Sequence, residues 1–477
     1  MEVSKGDSTF DTIIIGCGMA GLAAGIRLAM FGKRVVILEK HNAPGGLNSF
    51  YFQGGRKFDV GLHAVTNFVE RGRGTPLGTL LRQLRLPWDA FKLCPQNSSR
   101  IAFPGSNLKF TNEFEVLESE VAREFPRDID AFRALRKLVL EHDALNLEGK
   151  VTSARKIVSG IVANPILQDM LFCPLMYYGS ARERDMDFDQ FVTLWKAIFE
   201  EGFSRPLEGV RVIIRALLDR YRSLGGVRKM RCAVKRILTD GSEAKGVELE
   251  NGELLTARQI ISTAGLPETE VLCGADRHAE TIRCNVGRLS FGETISFLSE
   301  EPAAMGCDET IVFFNDSERF HYEQAKQPFD LRSGVICIPN NYQYPGNQVL
   351  QEGILRITGI ASHDYWTGID EETYRREKEE WFPRIVSSAL RFLPGMKVEN
   401  VESRTVYRDM FTPRTIEKYT SRFGGAVYGS PEKAKNGQTA WRNLFIAGTD
   451  QGFLGIVGAM LSGISIANRN ILMGKER

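Results

Sequence analysis

The first apolar segments of the chain predict a strand, a glycine turn, a helix and a second strand. Residues 12–15 are apolar and β-branched, which favours a strand buried on both faces of a parallel sheet. Apolar residues then recur at helical spacing from about residue 20 to 31, and residues 35–38 form a second apolar run. This order predicts a βαβ unit at the start of the chain.

Two further parts of the chain show different patterns. Residues 75–209 consist of long, helix-biased segments, of which residues 157–178 are especially apolar. The simplest interpretation of this apolar segment is a core helix pair in a second domain. The alternative is the wall of a substrate tunnel or a face that lies on a membrane. Strand-like runs between residues 288 and 401 predict a mixed or antiparallel sheet.

The end of the chain repeats the pattern of its beginning. Residues 443–450 form a buried-strand pattern followed by small residues and an acid, and a glycine-rich turn leads into a helix from about residue 456 to 472. Helix N-termini favour anions. We therefore interpret residues 455–459 as directed at a developing negative charge on a bound cofactor.

The turn after the first strand carries the chemistry of nucleotide binding. Gly16, Gly18 and Gly21 fill the three glycine positions of the dinucleotide fingerprint, which serve the tight turn, the approach of a pyrophosphate and close helix–strand packing. Glu39 ends the second strand, where a carboxylate accepts hydrogen bonds from the adenosine ribose. An acid there argues against a 2′-phosphate, so FAD or NAD is favoured over NADP.

A hairpin-like excursion follows the second strand. Gly45 and Gly46 allow a second close approach of the backbone to a ligand. Residues 50–60 alternate like a short hairpin and lead into the segment that ends at His63. In a pure NAD enzyme the helix–strand alternation would continue, so this excursion favours a flavoprotein.

Together these patterns predict an α/β fold in which a Rossmann-type FAD-binding domain is assembled from discontinuous segments, with an α+β substrate domain and helical inserts. Residues 1–74, 210–287 and 402–477 are assigned to the FAD-binding domain. Residues 75–209 are assigned to a helical insert that faces substrate or membrane. Residues 288–401 are assigned to the substrate domain.

Composition narrows the class of protein. The chain of 477 residues is long enough for two or three domains, and its formal net charge of +2 gives no global signal for a nucleic-acid partner. The eight cysteines contain no C-x-x-C pair, which favours a reducing compartment over a zinc site or a disulfide framework. The first ten residues lack the apolar core of a signal peptide, and no run approaches the length of a membrane span.

These features predict a cytoplasmic protein whose oligomeric state the sequence does not define. Peripheral association with a membrane is left open by ten Lys or Arg residues between positions 205 and 236, against two acids. Such a run is usually a solvated helix face, and the alternative is a surface for anionic lipid headgroups.

Several separated blocks of sequence carry a family likeness. They are GCGMAGLAAGIRLAMFGKRVVILEK with PGG at residues 44–46, FDVGLH at residues 58–63, GGV and GVELENG, TPRT with GGAVYGS, and NLFIAGTDQGF with VGAMLSG. With these blocks the chain resembles the FAD-dependent desaturase and isomerase family that includes phytoene desaturase, carotenoid isomerase and retinol saturase. The likeness runs nearly end to end, although amine oxidases share the fold and the first block.

The resemblance implies a set of FAD-binding residues: Gly16, Gly18, Ala20, Gly21, Glu39, Lys40, Gly45, Gly46, Leu47, Val234, Gly448, Asp450, Val457 and Gly458. Of these, Val234 would contact the adenine through its backbone. Gly448 and Asp450 would reach the ribityl or phosphate region, and Val457 and Gly458 would lie near the flavin ring. Many members have an arginine after the paired glycines, whereas Leu47 and Asn48 stand here, which places the chain nearer the isomerase and saturase branch.

The implied substrate is a hydrophobic isoprenoid or polyene. Its desaturation, saturation or isomerisation needs a hydride carrier, and since no side chain is one, the flavin must carry the reaction. We find no nucleophile triad, metal-ligand spacing or carboxylate pair in the sequence. His63 is the candidate for an acid–base role, and its alternative is a histidine hydrogen-bonded within a turn.

Two other functions remain open on the same fold. A flavin amine oxidase would need an aromatic pair to frame the amine, for which Tyr428 and Trp441 are available. A non-enzymatic prenyl carrier or escort protein can discard the flavin site, so the intact block from Gly16 to Glu39 argues against it.

Overall fold

Two seven-stranded sheets organise the protein, whose computed structural model describes residues 9–69, 74–144 and 150–474. The strands are β1 (Phe10–Ile15), β2 (Val35–Glu39), β3 (Phe50–Gln53), β4 (Arg56–Asp59), β5 (Cys94–Pro95), β6 (Ser99–Phe103), β7 (Ser106–Phe110), β8 (Ser204–Arg205), β9 (Val227–Met230), β10 (Val234–Asp240), β11 (Glu243–Leu249), β12 (Leu254–Ser262), β13 (Ser290–Leu298), β14 (Ile311–Asn315), β15 (Ser333–Cys337), β16 (Gly353–Ala361), β17 (Thr405–Phe411) and β18 (Leu444–Ile446).

The helices connect and cover these sheets. They are α1 (Met19–Ala29), α2 (Pro76–Leu84), α3 (Phe114–Glu124), α4 (Ile129–Glu141), α5 (Ala154–Ser159), α6 (Pro165–Gly179), α7 (Phe188–Trp195), α8 (Val210–Ser223), α9 (Leu266–Leu272), α10 (Glu280–Arg283), α11 (His363–Gly368), α12 (Glu371–Leu390), α13 (Val398–Arg404), α14 (Pro413–Thr420) and α15 (Gly455–Ile466). Within the described ranges, no helix is both long enough and apolar enough to cross a membrane.

The first sheet has the order β10-β11-β12-β1-β2-β9, and β18 pairs with β12. β1 runs parallel to both β2 and β12, and β18 and β9 extend the parallel part on either side. Helices α1, α8 and α15 bury their apolar faces in one core against this sheet. Because the strands come from widely separated parts of the chain, the predicted Rossmann-type domain built from discontinuous segments is confirmed.

The second sheet has the order β17-β13-β16-β15-β14-β6-β7. Its neighbouring strands are antiparallel except for β6 and β14, which run parallel, so the sheet is mixed. α12 and the apolar side chains around it cover one face of this sheet, whereas α6 and α7 cover the other. Both faces are therefore buried.

Two of the predicted segment boundaries differ from the structure. β6 and β7 lie in the segment assigned to the helical insert, yet they extend the second sheet beside β14. β17 lies in the segment assigned to the FAD-binding domain, yet it pairs with β13. Alternation of apolar residues shows that a strand exists, but its partner is decided by tertiary packing.

The apolar segment 157–178 is a core element. Twelve of the fifteen residues of α6 are buried, and they pack with α7 and the second sheet. The core-helix interpretation is therefore confirmed for α6, whose buried side chains leave it no broad apolar side for a membrane, and membrane association of the chain stays a prediction. The last turn of α6 also carries two tyrosines into a cavity wall, Tyr177 and Tyr178.

The basic run from residue 205 to 236 does not form one exposed face. Arg205 and Arg211 are paired with the buried Asp59, and Lys235 and Arg236 are both paired with Glu248 on β11. Of the other six cations, three lie on α8, two lie on β9, and Arg231 follows directly after β9. The arrangement of these side chains therefore does not support a surface for lipid headgroups formed by this run alone.

Candidate functional site

A cavity of about 1630 Å³ joins the two sheets. One part is lined by the glycine turn after β1 and by the end of β2, and the other part by β13, β15 and β16 of the second sheet. The carboxyl ends of parallel strands are where open α/β sheets bind their ligands. The cavity thus has a nucleotide region beside the first sheet. A second region, continuous with the nucleotide region, lies beside the second sheet.

Each of the three glycines in the first turn has a different structural reason for being a glycine. Gly16 has a φ of +102°, and a Cβ there would lie 2.3 Å from Thr263 Oγ1. A Cβ on Gly21 would lie 2.1 Å from the carbonyl oxygen of Gly16. Gly18 has an ordinary φ of −79°, and the nearest protein atoms would be 3.9 Å from its Cβ. The protein itself therefore tolerates a side chain at Gly18, and the space in front of it is available to a ligand.

The second glycine loop lies directly against the first. Gly45, with a φ of +113°, donates its N–H to the carbonyl of Cys17 at 2.9 Å and forms a bridge with Gly18. Gly46 and Leu47 continue the loop along the cavity wall. The backbones of the two loops and the N-terminus of α1 form a concave wall without side chains, which suits a pyrophosphate.

Glu39 is half-buried in the wall of the nucleotide region. Its carboxylate accepts hydrogen bonds from the backbone N–H groups of Cys17 at 2.8 Å and of His41 at 2.9 Å. Each oxygen retains a second acceptor position, so the side chain is oriented by the backbone and still able to bind a ribose. Lys40 and Val234 line the cavity on the same side, as the resemblance implies.

The loop after β18 divides into cavity and support residues. Gly448 lines the cavity with a φ of +90°. Asp450 is fully buried instead, and its carboxylate accepts from the N–H groups of Leu266 at 2.6 Å and Ser430 at 2.9 Å and from Arg422 at 3.2 Å. The prediction that Asp450 itself reaches the cofactor is therefore corrected: its side chain joins three loops behind the cavity.

The helix α15 presents a different face from the one predicted. Gly455, Ile456 and Ala459 line the cavity. Val457 is buried in the core, and Gly458 packs on Phe453. Because this helix is apolar almost all round, its sequence does not reveal which side faces the ligand. A contact from the backbone of residues 457 and 458 to the flavin stays a prediction.

His63 lies in the second region of the cavity within a charged network. Its Nε2 is 3.1 Å from Glu293 Oε1 on β13 and 3.0 Å from Thr358 Oγ1 on β16. Arg356 donates to both oxygens of Glu293, at 2.6 and 2.9 Å. Burial alone would raise the pKa of Glu293, but Arg356 and His63 outweigh it and lower this pKa to about 2. Glu293 is therefore a carboxylate at neutral pH.

Two arginines hold the backbone that leads into His63. Arg356 donates to the carbonyls of Asp59, Val60 and Leu62 at 2.7–3.0 Å, and Arg205 also donates to Leu62 at 2.7 Å. Both arginines are buried. The segment between β4 and His63 thus contacts the second sheet through charged hydrogen bonds, which fixes the histidine relative to that sheet.

Aromatic side chains form the rest of the second region: Tyr177, Tyr178, Phe291 and Tyr428. Tyr428 donates its hydroxyl to the carbonyl of Tyr177, and its ring packs edge-on against Phe291 at 5.6 Å. The Tyr178 hydroxyl is buried without a hydrogen-bond partner among the described residues. Trp441 packs behind the first sheet, so the structure does not bring Tyr428 and Trp441 together.

Sequence inspection missed Glu293, Arg356 and the tyrosines of α6. The signal for the first two was present, because each of these mostly buried strands carries a single charge: SFGETISFL for β13 and GILRITGIA for β16. Charges of opposite sign in two buried strands predict an ion pair when the strands are neighbours. Only the fold showed that they are neighbours.

A cluster of three buried charges and one half-buried lysine supports the loops behind the nucleotide region. Glu268 and Arg422 line the cavity, and Asp450 and Lys433 lie beside them. Burial raises the pKa of Glu268 from 4.5 to about 7, with Arg422 opposing the shift and Asp450 adding to it. Burial also lowers the pKa of Lys433 to about 8. The charge of this cluster therefore changes near neutral pH.

Replacing Glu268 by glutamine is expected to stabilise the protein at alkaline pH. A folded-state pKa of about 7 means that the stability contributed by protonated Glu268 is complete below pH 4.5 and is lost as the pH rises through 7. Glutamine mimics the protonated form. The free energy of unfolding of Glu268→Gln should therefore exceed that of the wild type by about 3 kcal/mol near pH 8.5 and by under about 1 kcal/mol near pH 5. Denaturant unfolding at both pH values measures this, and exposed Glu280→Gln is the control. Equal gains in the free energy of unfolding at both pH values would contradict the raised pKa of Glu268.

The fold and the glycine cradle define a flavin-dependent oxidoreductase. The cradle leaves the space in front of Gly18 open and carries the oriented Glu39, which fits the pyrophosphate and ribose of FAD. Gly16, Gly18, Gly45, Gly46 and Gly448 would hold the cofactor through backbone groups, and bound FAD would supply the hydride acceptor. Among the described residues, no group of three or more His, Cys, Asp or Glu side chains is arranged to hold a metal ion.

Comparison with known proteins agrees with this class. The chain belongs to the flavin containing amine oxidoreductase family, whose sequence model matches residues 19–471. It is 25% identical to the chloroplastic prolycopene isomerase of Daucus carota, over 96% of this chain and 80% of that one. It is 23% identical to all-trans-retinol 13,14-reductase of Danio rerio, over 98% and 88%. Among solved structures, an oxidoreductase from Methanosarcina mazei aligns with a TM-score of 0.63 at 16% identity, over 96% of this chain and all of that one.

Substitution of Gly18 by alanine is expected to weaken FAD binding without unfolding the protein. The new Cβ would meet no protein atom closer than 3.9 Å, so the free energy of unfolding should change by less than about 1 kcal/mol. The methyl group would occupy the space of the pyrophosphate, at a cost of about 1–3 kcal/mol, so FAD affinity should fall about 5- to 150-fold. Titration of the apoprotein with FAD by flavin fluorescence measures the affinity.

The matched contrast is Gly21→Ala. Its Cβ would overlap the Gly16 carbonyl, so this variant should lose stability even without FAD. A Gly18→Ala protein that binds FAD like the wild type would show that the pyrophosphate does not approach Gly18.

Proposed function

We propose that the protein is a FAD-dependent oxidoreductase that acts on a long isoprenoid or polyene. The observation that carries the proposal is the second region of the cavity, an aromatic wall continuous with the nucleotide region and placed beside His63. Tyr177, Tyr178 and Phe291 offer flat, largely apolar surfaces that suit a conjugated chain. The relatives named as a prolycopene isomerase and a retinol reductase support a substrate of this class.

The residues of the chain have separate tasks in the proposed reaction. The glycine loops bind the cofactor, and the aromatic wall orients the polyene and excludes water from it. His63 is the side chain that holds or moves a proton next to the reacting carbon atoms. Arg356 and Arg205 keep the His63 segment in place by holding its backbone carbonyls. Whether the outcome is desaturation, saturation or isomerisation depends on the substrate and on the redox state of the flavin.

The proposal is tested by substrate conversion with FAD-loaded protein. A panel of a C40 carotenoid, a C20 retinoid and a short aliphatic amine would be incubated under oxidising and reducing conditions. Conversion of a polyene, seen as a shift of its absorbance and a new chromatographic peak, is the expected result. Turnover of the amine with release of hydrogen peroxide, and no change in either polyene, would overturn the proposal in favour of an amine oxidase.

The carrier alternative makes a different prediction in the same assay. A carrier would bind the polyene without converting it, and Gly18→Ala would leave that binding unchanged. An enzyme of the proposed kind would lose conversion in this variant in proportion to its loss of FAD. The family membership and the intact cradle favour the enzyme.

A further inference from the structure

The environment of His63 distinguishes the two nitrogens of its ring. Nε2 lies between two protein oxygens, Glu293 Oε1 at 3.1 Å and Thr358 Oγ1 at 3.0 Å. Among the described residues, Nδ1 has no hydrogen-bond partner, and the residue lines the cavity with 18% of its side chain exposed. One nitrogen thus belongs to the protein network, and the other lies outside that network on a side chain that lines the cavity.

The carboxylate of Glu293 decides which nitrogen carries the proton of the neutral ring. Both of its oxygens accept hydrogen bonds from Arg356, and the lowered pKa of Glu293 leaves it without a proton to donate. An ionised carboxylate can only accept, so the atom 3.1 Å from it must be an N–H. The alternative tautomer would place the lone pair of Nε2 against a negative oxygen.

The network around this pair is rigid and buried. Glu293 and Arg356 are 6% and 2% exposed. The backbone carbonyl of His63 accepts from the Tyr342 hydroxyl at 3.1 Å and from Arg205 at 3.4 Å, and the Cys337 thiol lies 3.6 Å from it. A flip of the ring would break both contacts of Nε2, and the contacts of the carbonyl hold the backbone of His63 in place.

We propose that Glu293 is a positioning residue that fixes His63 as the Nε2–H tautomer and thereby makes Nδ1 the atom that accepts or returns a proton in the cavity. When Nδ1 takes up a proton from the substrate, the Nε2–H bond stays intact and Glu293 becomes the counter-ion of the imidazolium. Nδ1 then returns the proton to the polyene or passes it to water, and Glu293 keeps its charge throughout. This inference rests on the proposed function for the identity of the proton donor, but the tautomer is a property of the protein alone.

The experiment is nitrogen NMR of FAD-loaded protein with labelled histidine and no substrate. The chain has six histidines, so the His63 signals are assigned by their loss in His63→Gln. At a pH where the ring is neutral, Nε2 should show the shift of a protonated nitrogen and Nδ1 that of a bare one. A protonated Nδ1, or a rapid mixture of both tautomers, would overturn the inference.

Two variants separate positioning from packing. Glu293→Gln should give a mixed or reversed tautomer and lower kcat at least tenfold, with KM changed by less than about threefold. Glu280→Gln, at an exposed carboxylate outside the cavity lining, is the matched control and should leave the tautomer and both constants near wild type. An unchanged tautomer in Glu293→Gln would refute the role of Glu293. If Glu293→Gln does not fold, the nitrogen spectrum of the wild-type protein still tests whether Nε2 of His63 carries the proton.

The two proposals fail in distinguishable ways. An Nε2–H tautomer together with no conversion of any polyene would overturn the proposed function and leave the positioning intact. Conversion of a polyene by a protein whose His63 carries its proton on Nδ1 would overturn the positioning and leave the proposed function intact.

Discussion

Replacing His63 by glutamine is expected to reduce substrate turnover about 100- to 10,000-fold while the protein still folds and binds FAD. Positioned acid–base groups contribute factors of this size. The glutamine amide can still donate to Glu293, so the contact to β13 and the packing of the segment should survive. The measurement is kcat for the polyene that the wild-type protein converts, together with the flavin absorbance of each preparation.

The control for this variant is His278→Gln, because His278 is exposed and lies outside the cavity lining. It should change neither turnover nor flavin content. If His63→Gln keeps more than about a tenth of the wild-type turnover, then His63 is a structural residue hydrogen-bonded within its turn, the alternative that the sequence left open.

The second large effect is expected for Arg356→Met, which should lower the free energy of unfolding by about 3–5 kcal/mol. The variant removes the counter-charge of Glu293 and the donor to the carbonyls of Asp59, Val60 and Leu62. A buried carboxylate without a partner is costly, because the interior cannot replace water. Denaturant unfolding of the apoprotein at pH 7 measures the loss.

The loss should depend on pH in a defined direction. The pKa of Glu293 is lowered to about 2 in the folded protein, so its contribution to stability is present above pH 4.5 and is lost as the pH falls toward 2. The difference in the free energy of unfolding between the wild type and Arg356→Met should therefore become smaller as the pH falls from 4.5 toward 2. A difference that stays constant would show that the ion pair is not its cause.

Two variants serve as controls for Arg356→Met. Arg375→Met removes an exposed pair on α12 and should cost less than about 0.5 kcal/mol. The double variant Glu293→Leu with Arg356→Met removes both charges and should recover part of the stability, because no charge is left uncompensated. A double variant as unstable as Arg356→Met would place the loss in the backbone contacts.

The sequence predicted the nucleotide region well because its determinants are local. Gly16 and Gly21 are required by backbone conformation and by contacts within one βαβ unit, and Glu39 is oriented by the N–H of Cys17 in the same unit. The same holds for the parallel strands and the helix between them. Such features follow from spacing alone, so a dinucleotide site could be inferred before the fold was known, whereas the choice of FAD also needed the distant sequence blocks.

Where the chain leaves that unit, local pattern was no longer sufficient. Val457 and Asp450 were expected at the cofactor, yet Val457 turns into the core and Asp450 joins three loops. The strand pattern of β17 did not show that it pairs with β13. Helices that are apolar all round and strands without a marked partner can be placed only by packing.

The sequence by itself determined that this is a flavoprotein and that His63 follows its first hairpin. The tertiary structure alone decided what surrounds that histidine. Glu293 and Arg356 are 230 and 293 positions away along the chain, and they meet His63 only because β13 and β16 are neighbours in the second sheet. A dinucleotide cradle is encoded within some thirty residues, whereas a candidate site formed between two sheets depends on contacts that the linear order does not contain.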